Sequence, residues 1–99
     1  MENSYEFKLV QGSFSPEEAG RILLSLLQNK ISFHNMEALS TQIRFGGDVS
    51  RYEKRIAELI AISESLTNFL TEAGHDGKML QIEGTFTIQA VNAGAENPN

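Results

Sequence analysis

The chain contains no cysteine and no tryptophan, and only two prolines in 99 residues. Without cysteine there is no disulfide framework, no thiolate metal site and no cysteine nucleophile. Basic residues are scarce: eight Lys and Arg against thirteen Asp and Glu leave a net charge of −5. Nucleic acid is therefore not an expected partner, since binding it calls for a basic footprint. No run of apolar residues approaches the ~18 needed to span a bilayer, so no membrane partner is expected. The stretch Met1-Glu2-Asn3-Ser4-Tyr5 is polar and acidic, without a basic n-region or an apolar h-region, and a cytoplasmic location is the expectation.

The length is that of one domain, and the punctuation divides it cleanly. In Tyr5-Glu6-Phe7-Lys8-Leu9, apolar and charged residues alternate, the period of a half-buried strand. The strand runs on towards Phe14, and Gly12 marks a bulge or bend. Ser15-Pro16-Glu17-Glu18 is a dense helix start. Ser15 and Glu18 are spaced for a capping box, and proline suits the first helical position.

Beyond it, Leu24, Leu27, Ile31, His34 and Ala38 step by three and four, which predicts one helix from Pro16 to about Ile43. Gly46-Gly47 breaks it. A second helix starts at Asp48 or Ser50, with Ser50 and Glu53 placed for another capping box. Tyr52, Ile56, Leu59, Ser63, Leu66, Leu70 and Ala73 form its heptad seam, and Gly74 is the expected C′ residue. After the turn His75-Asp76-Gly77, a last strand places Leu80, Ile82, Phe86, Ile88 and Ala90 on one face. Residues 92–99 hold no apolar anchor and are expected to be a disordered tail, leaving 1–91 as a single α+β domain.

The predicted order is β-α-α-β. About 28 helical residues at ~1.5 Å give about 42 Å, and about 11 strand residues at ~3.3 Å give about 36 Å. These lengths fit an antiparallel helical hairpin packed along a two-stranded antiparallel ribbon. Such a ribbon is marginal alone and leaves both strand edges open. Pairing with a second copy, into a four-stranded sheet, is therefore expected, and a homodimer with it.

Chemistry-bearing groups are thin. His34 sits near the seam of the first helix, with Glu37 one turn on; it reads as a buried polar residue satisfied from the facing helix. Glu72 and His75 form a lone Glu-x-x-His across a helix end, short of the duplicated set that a di-metal site needs. Arg44, Arg51, Lys54 and Arg55 gather around the glycine pair beside Phe45. A helix N-terminus with nearby cations can hold an anion, so these five are the candidate contact residues for an anion or a partner. No nucleophile has a base placed by sequence. No catalytic residue, metal site or cofactor is expected.

The runs Phe14-Ser15-Pro16-Glu17-Glu18-Ala19, Lys30-Ile31-Ser32-Phe33-His34 and Gln42-Ile43-Arg44-Phe45-Gly46 resemble small uncharacterised bacterial proteins of about this length. The resemblance covers the first half of the chain and the order of elements, and it implies no activity or site residue. The leading expectation is a non-enzymatic dimeric protein-interaction module. The alternative is a small-molecule or anion-binding protein, or a minimal enzyme, with a site at the dimer interface or at the basic hairpin tip.

Overall fold

The computed structural model describes residues 3–92; the expected tail lies outside the described residues from position 93 on. The elements are β1 (Ser4–Phe14), α1 (Pro16–Phe45), α2 (Ser50–His75) and β2 (Leu80–Gln89). This is an α+β chain in the order β-α-α-β, with β1 and β2 antiparallel. Among the described residues no helix is long and apolar enough to cross a membrane.

α1 is continuous through the Ile31–Ala38 stretch, as the stepping of its apolar residues predicts. Its start is the expected capping box. Ser15 Oγ accepts from the Glu18 N–H at 3.1 Å, and Glu18 Oε1 accepts from the Ser15 N–H at 3.0 Å. The bond from the Ser15 backbone, with a smaller contribution from the Ser15 hydroxyl, holds the Glu18 carboxyl below its usual pKa. Gly46 ends the helix in the left-handed region, at φ 57°, where glycine carries no Cβ penalty.

The second start differs from expectation. Val49 is the N-cap and makes no side-chain cap, so Ser50 and Glu53 form no capping box. The Asp48 carboxylate takes that place, accepting from the Ser50 N–H at 2.9 Å and the Ser50 hydroxyl at 3.0 Å. These two bonds lower the Asp48 pKa. The C′ residue also moves, from Gly74 to Gly77 at φ 65°. The Lys78 N–H reaches the Ala73 carbonyl and the Gly77 N–H reaches that of Gly74, the paired bonds of a Schellman motif.

Between the helices, Ile31 and His34 of α1 and Leu59, Leu70 and Ala73 of α2 are buried. Leu66, expected in the seam, is only half-buried; it borders the exposed Ile62 and Phe69 on the outer side of α2.

In the ribbon the irregularity falls at Leu9, not at Gly12: Lys8 pairs with Thr85 and Val10 with Gly84, which leaves Leu9 as the extra residue. Gly84 is not the close approach its position suggests: a Cβ there would lie 3.5 Å from the Val10 carbonyl oxygen, an ordinary van der Waals distance. The bulge has a consequence for patterning. Before it, Tyr5 faces Ile88 and Phe7 faces Phe86; after it, Phe14 faces Leu80. Paired residues share a face, so one face is apolar along the whole ribbon. Phe7 and Phe86 meet edge to face at 5.6 Å on it.

The edges can be read from one hydrogen bond. The Ala90 N–H donates to the Asn3 carbonyl at 2.6 Å, which makes Asn3 and Ala90 a hydrogen-bonded pair. Such pairs alternate with non-bonded ones. Glu6 and Thr87, three steps along, therefore turn their N–H and C=O groups outward, to the two free edges.

The ribbon does not lie along the hairpin, as the matched lengths had implied. It meets α1 near its base, where Leu9, Val10, Phe14, Ile22 and Leu26 line one groove, and then projects away. The chain measures 50 × 38 × 14 Å with a radius of gyration of 17.0 Å; a compact chain of this length has about 13 Å. Element lengths say how far each element reaches, not the angle at which they meet.

Candidate functional site

The hairpin tip is built from the end of α1 and the start of α2, joined by Gly46–Val49. His34 lies deepest, 1% exposed. Its Nδ1 donates to Glu37 Oε1 at 3.2 Å, so the partner comes from the same helix and not from the facing one. That bond leaves Nε2 as the acceptor nitrogen of a neutral ring. Nε2 is buried without a partner, and so is Arg55 Nε. The Tyr52 ring on α2 lies 6.4 Å from the imidazole.

Two of the cations have partners beside them. Arg51 lies 5.0 Å over the Tyr52 ring and donates to its hydroxyl at 3.1 Å. That bond, with a smaller contribution from Thr41, lowers the Tyr52 pKa. Arg55 is held by Glu58 at 3.1 Å. Arg44 and Lys54 are exposed, and Arg44 sits in the last turn of α1, where the helix dipole favours a cation. The Phe45 side chain lies outside the described residues. The start of α2, where an anion would sit, is occupied by the Asp48 carboxylate.

Arg51 and Arg55 are thus each engaged within the chain. In urea-free thermal melts, sulfate should raise the melting temperature of the wild type and of an Arg51→Ala, Arg55→Ala double variant by the same amount, relative to chloride of matched ionic strength. That equality follows from surface exclusion alone. A sulfate benefit lost in the double variant would mark the tip as an anion site.

Hydroxyls along α2 are also committed. Ser63 donates to the Leu59 carbonyl, Thr67 to that of Ser63 and Thr71 to that of Thr67, at 2.8–3.0 Å. Among the described residues, no group of three or more His, Asp or Glu is placed to hold a metal ion.

The larger feature is one that composition does not reveal: apolar surface left open on both arms of the molecule. On the ribbon, Tyr5 is 63% and Ile88 56% exposed; on the distal half of α1, Met36 is 71% and Ile43 74% exposed. The accessible surface totals 7682 Å², where a compact monomer of 11.0 kDa has about 5,600 Å². No protein-family model, curated protein or solved structure matches the chain.

Proposed function

We propose that the protein is a non-catalytic interaction module that works as a homodimer, in which a second copy completes the ribbon. The observation that carries this is the projecting two-stranded ribbon, whose apolar face and strand edges the protomer leaves open. Isolated two-stranded ribbons are marginal in water. Large open apolar patches mark interaction surfaces.

The two edges are not equivalent. β1 carries Glu6, Lys8 and the bulge at Leu9, three devices that discourage edge pairing. β2 carries Thr85, Thr87 and Gln89 in the same stretch, with no charge. Pairing of β2 with β2 about a two-fold axis gives a closed four-stranded sheet. The outer side of α2, where Ile62 and Phe69 are exposed, is the surface this dimer leaves for a protein partner.

Mass action supplies the test. A dimer that stabilises the fold makes the melting temperature rise with protein concentration. A melting temperature constant from about 1 to 100 μM would remove the dimer from the account.

A further inference from the structure

Resting on the dimeric reading above, we infer that the two copies clasp each other reciprocally: the apolar face of each ribbon lies on the outer stripe of the other copy's α1.

α1 carries two apolar stripes. The first, through Ile31 and His34, faces α2. The second runs through Ala19, Ile22, Leu26, Phe33, Met36 and Ile43, spaced by three, four and seven, so it keeps to the side away from the seam. Its first half is partly covered within the chain. Ala19 and Val10 are buried, Ile22 and Phe14 are half-buried, and Leu9, Val10, Phe14, Ile22 and Leu26 line one groove between ribbon and helix. Beyond Leu26 the ribbon and the helix diverge. Phe33, Met36 and Ile43 are then exposed on one arm, and Tyr5, Phe86 and Ile88 on the other.

The corner shows what fits what. Burial of the ribbon face and the helix stripe is complete only at the corner, at Val10 and Ala19; where the two part, each is left without the other. Their open lengths agree. From Phe33 to Ile43, ten residues at ~1.5 Å cover about 15 Å. From Ser4 to Leu9, five residues at ~3.3 Å cover about 17 Å. A two-fold axis supplies each open arm with the other kind of arm from the second copy, twice over. Edge pairing alone would leave both apolar faces wet, and stacking ribbon on ribbon would leave the α1 stripe wet. The clasp covers both. It is compatible with edge pairing through β2, because it uses the face of the sheet and not its edge.

Charge complementation tests it. Tyr5 lies on the strand away from the pairing edge and Met36 on the distal stripe; both are more than half exposed in the protomer, so substitutions there spare the core. Sedimentation velocity on Tyr5→Glu alone and on Met36→Lys alone should show dimerisation weakened about tenfold or more. Mixing the two variants should restore it. The mixed dimer has one unaltered clasp, and its other clasp brings a carboxylate to an ammonium. Far-UV circular dichroism checks folding, and Phe33→Lys replaces Met36→Lys if helicity is lost.

A mixture as weak as the single variants, or single variants that dimerise like the wild type, overturns the clasp while a dimeric wild type leaves the reading above standing. A wild type that stays monomeric overturns both.

Discussion

Leu59→Ala is expected to lower the unfolding free energy by about 2–5 kcal/mol in urea titrations. Leu59 is 3% exposed and lies near the middle of α2, where the two helices pack against each other. Truncation removes buried methyl groups and leaves a hole that stiff neighbouring turns fill only in part. The burden is large because the rest of the chain offers little other core. Within the protomer, the buried apolar residues named above are Val10, Ala19, Ile31, Leu59, Leu70 and Ala73, and two of these are alanines. A natural domain has about 5–15 kcal/mol in total. Ile60→Ala, one residue on and exposed, is the control and should change stability by about 0.5 kcal/mol or less. Equal effects at the two positions would take Leu59 out of the seam.

Thr87→Pro is expected to leave the ribbon of each protomer intact and to weaken the dimer at least about tenfold. The Thr87 N–H points away from β1, because Thr87 stands opposite Glu6 in a non-bonded pair. Proline there removes no bond inside the ribbon. It does remove a donor from the free edge of β2 and puts a ring in the path of an approaching strand. The two-fold axis applies the damage twice. Glu6→Pro makes the matching change on the β1 edge and should leave the dimer in place. The reverse pattern would assign pairing to β1. Loss of strand signal in dilute Thr87→Pro would mean that the N–H belongs to the ribbon after all.

Most of the element order was legible in the sequence, for local reasons. The Ser15–Glu18 box is a contact between residues three apart, and residue types at that spacing suffice to announce it. The continuity of α1 followed from unbroken steps of three and four with no proline or glycine after Gly20 until Gly46. The bulge had a signal too, one visible only across both strands. Apolar positions on β2 are all even-numbered, while on β1 they switch from odd, Tyr5 and Phe7, to even, Val10 and Phe14. One extra residue between them restores the match, and Leu9 is that residue.

Other features turn on non-local geometry. Gly74 and Gly77 are equally good C′ residues by type, and the choice depends on which of them the Lys78 N–H can reach past. The angle between ribbon and hairpin depends on packing at the β1–α1 corner, on which element lengths are silent. At the tip, four cations lie close in sequence, yet Arg51 turns to Tyr52 and Arg55 to Glu58. Proximity along a chain says which groups can reach a point, not which of them are already taken. The same holds for His34: the helical period places it inside, but its partner, Glu37, belongs to its own helix and not to the facing one.

The central claim is that one copy of this chain leaves its ribbon uncovered and that a second copy covers it. Static light scattering coupled to gel filtration, across the micromolar range, tests this most directly. The account predicts a mass of about twice 11.0 kDa at the upper end, falling towards the single-chain value on dilution. A mass of 11.0 kDa at every concentration would contradict it.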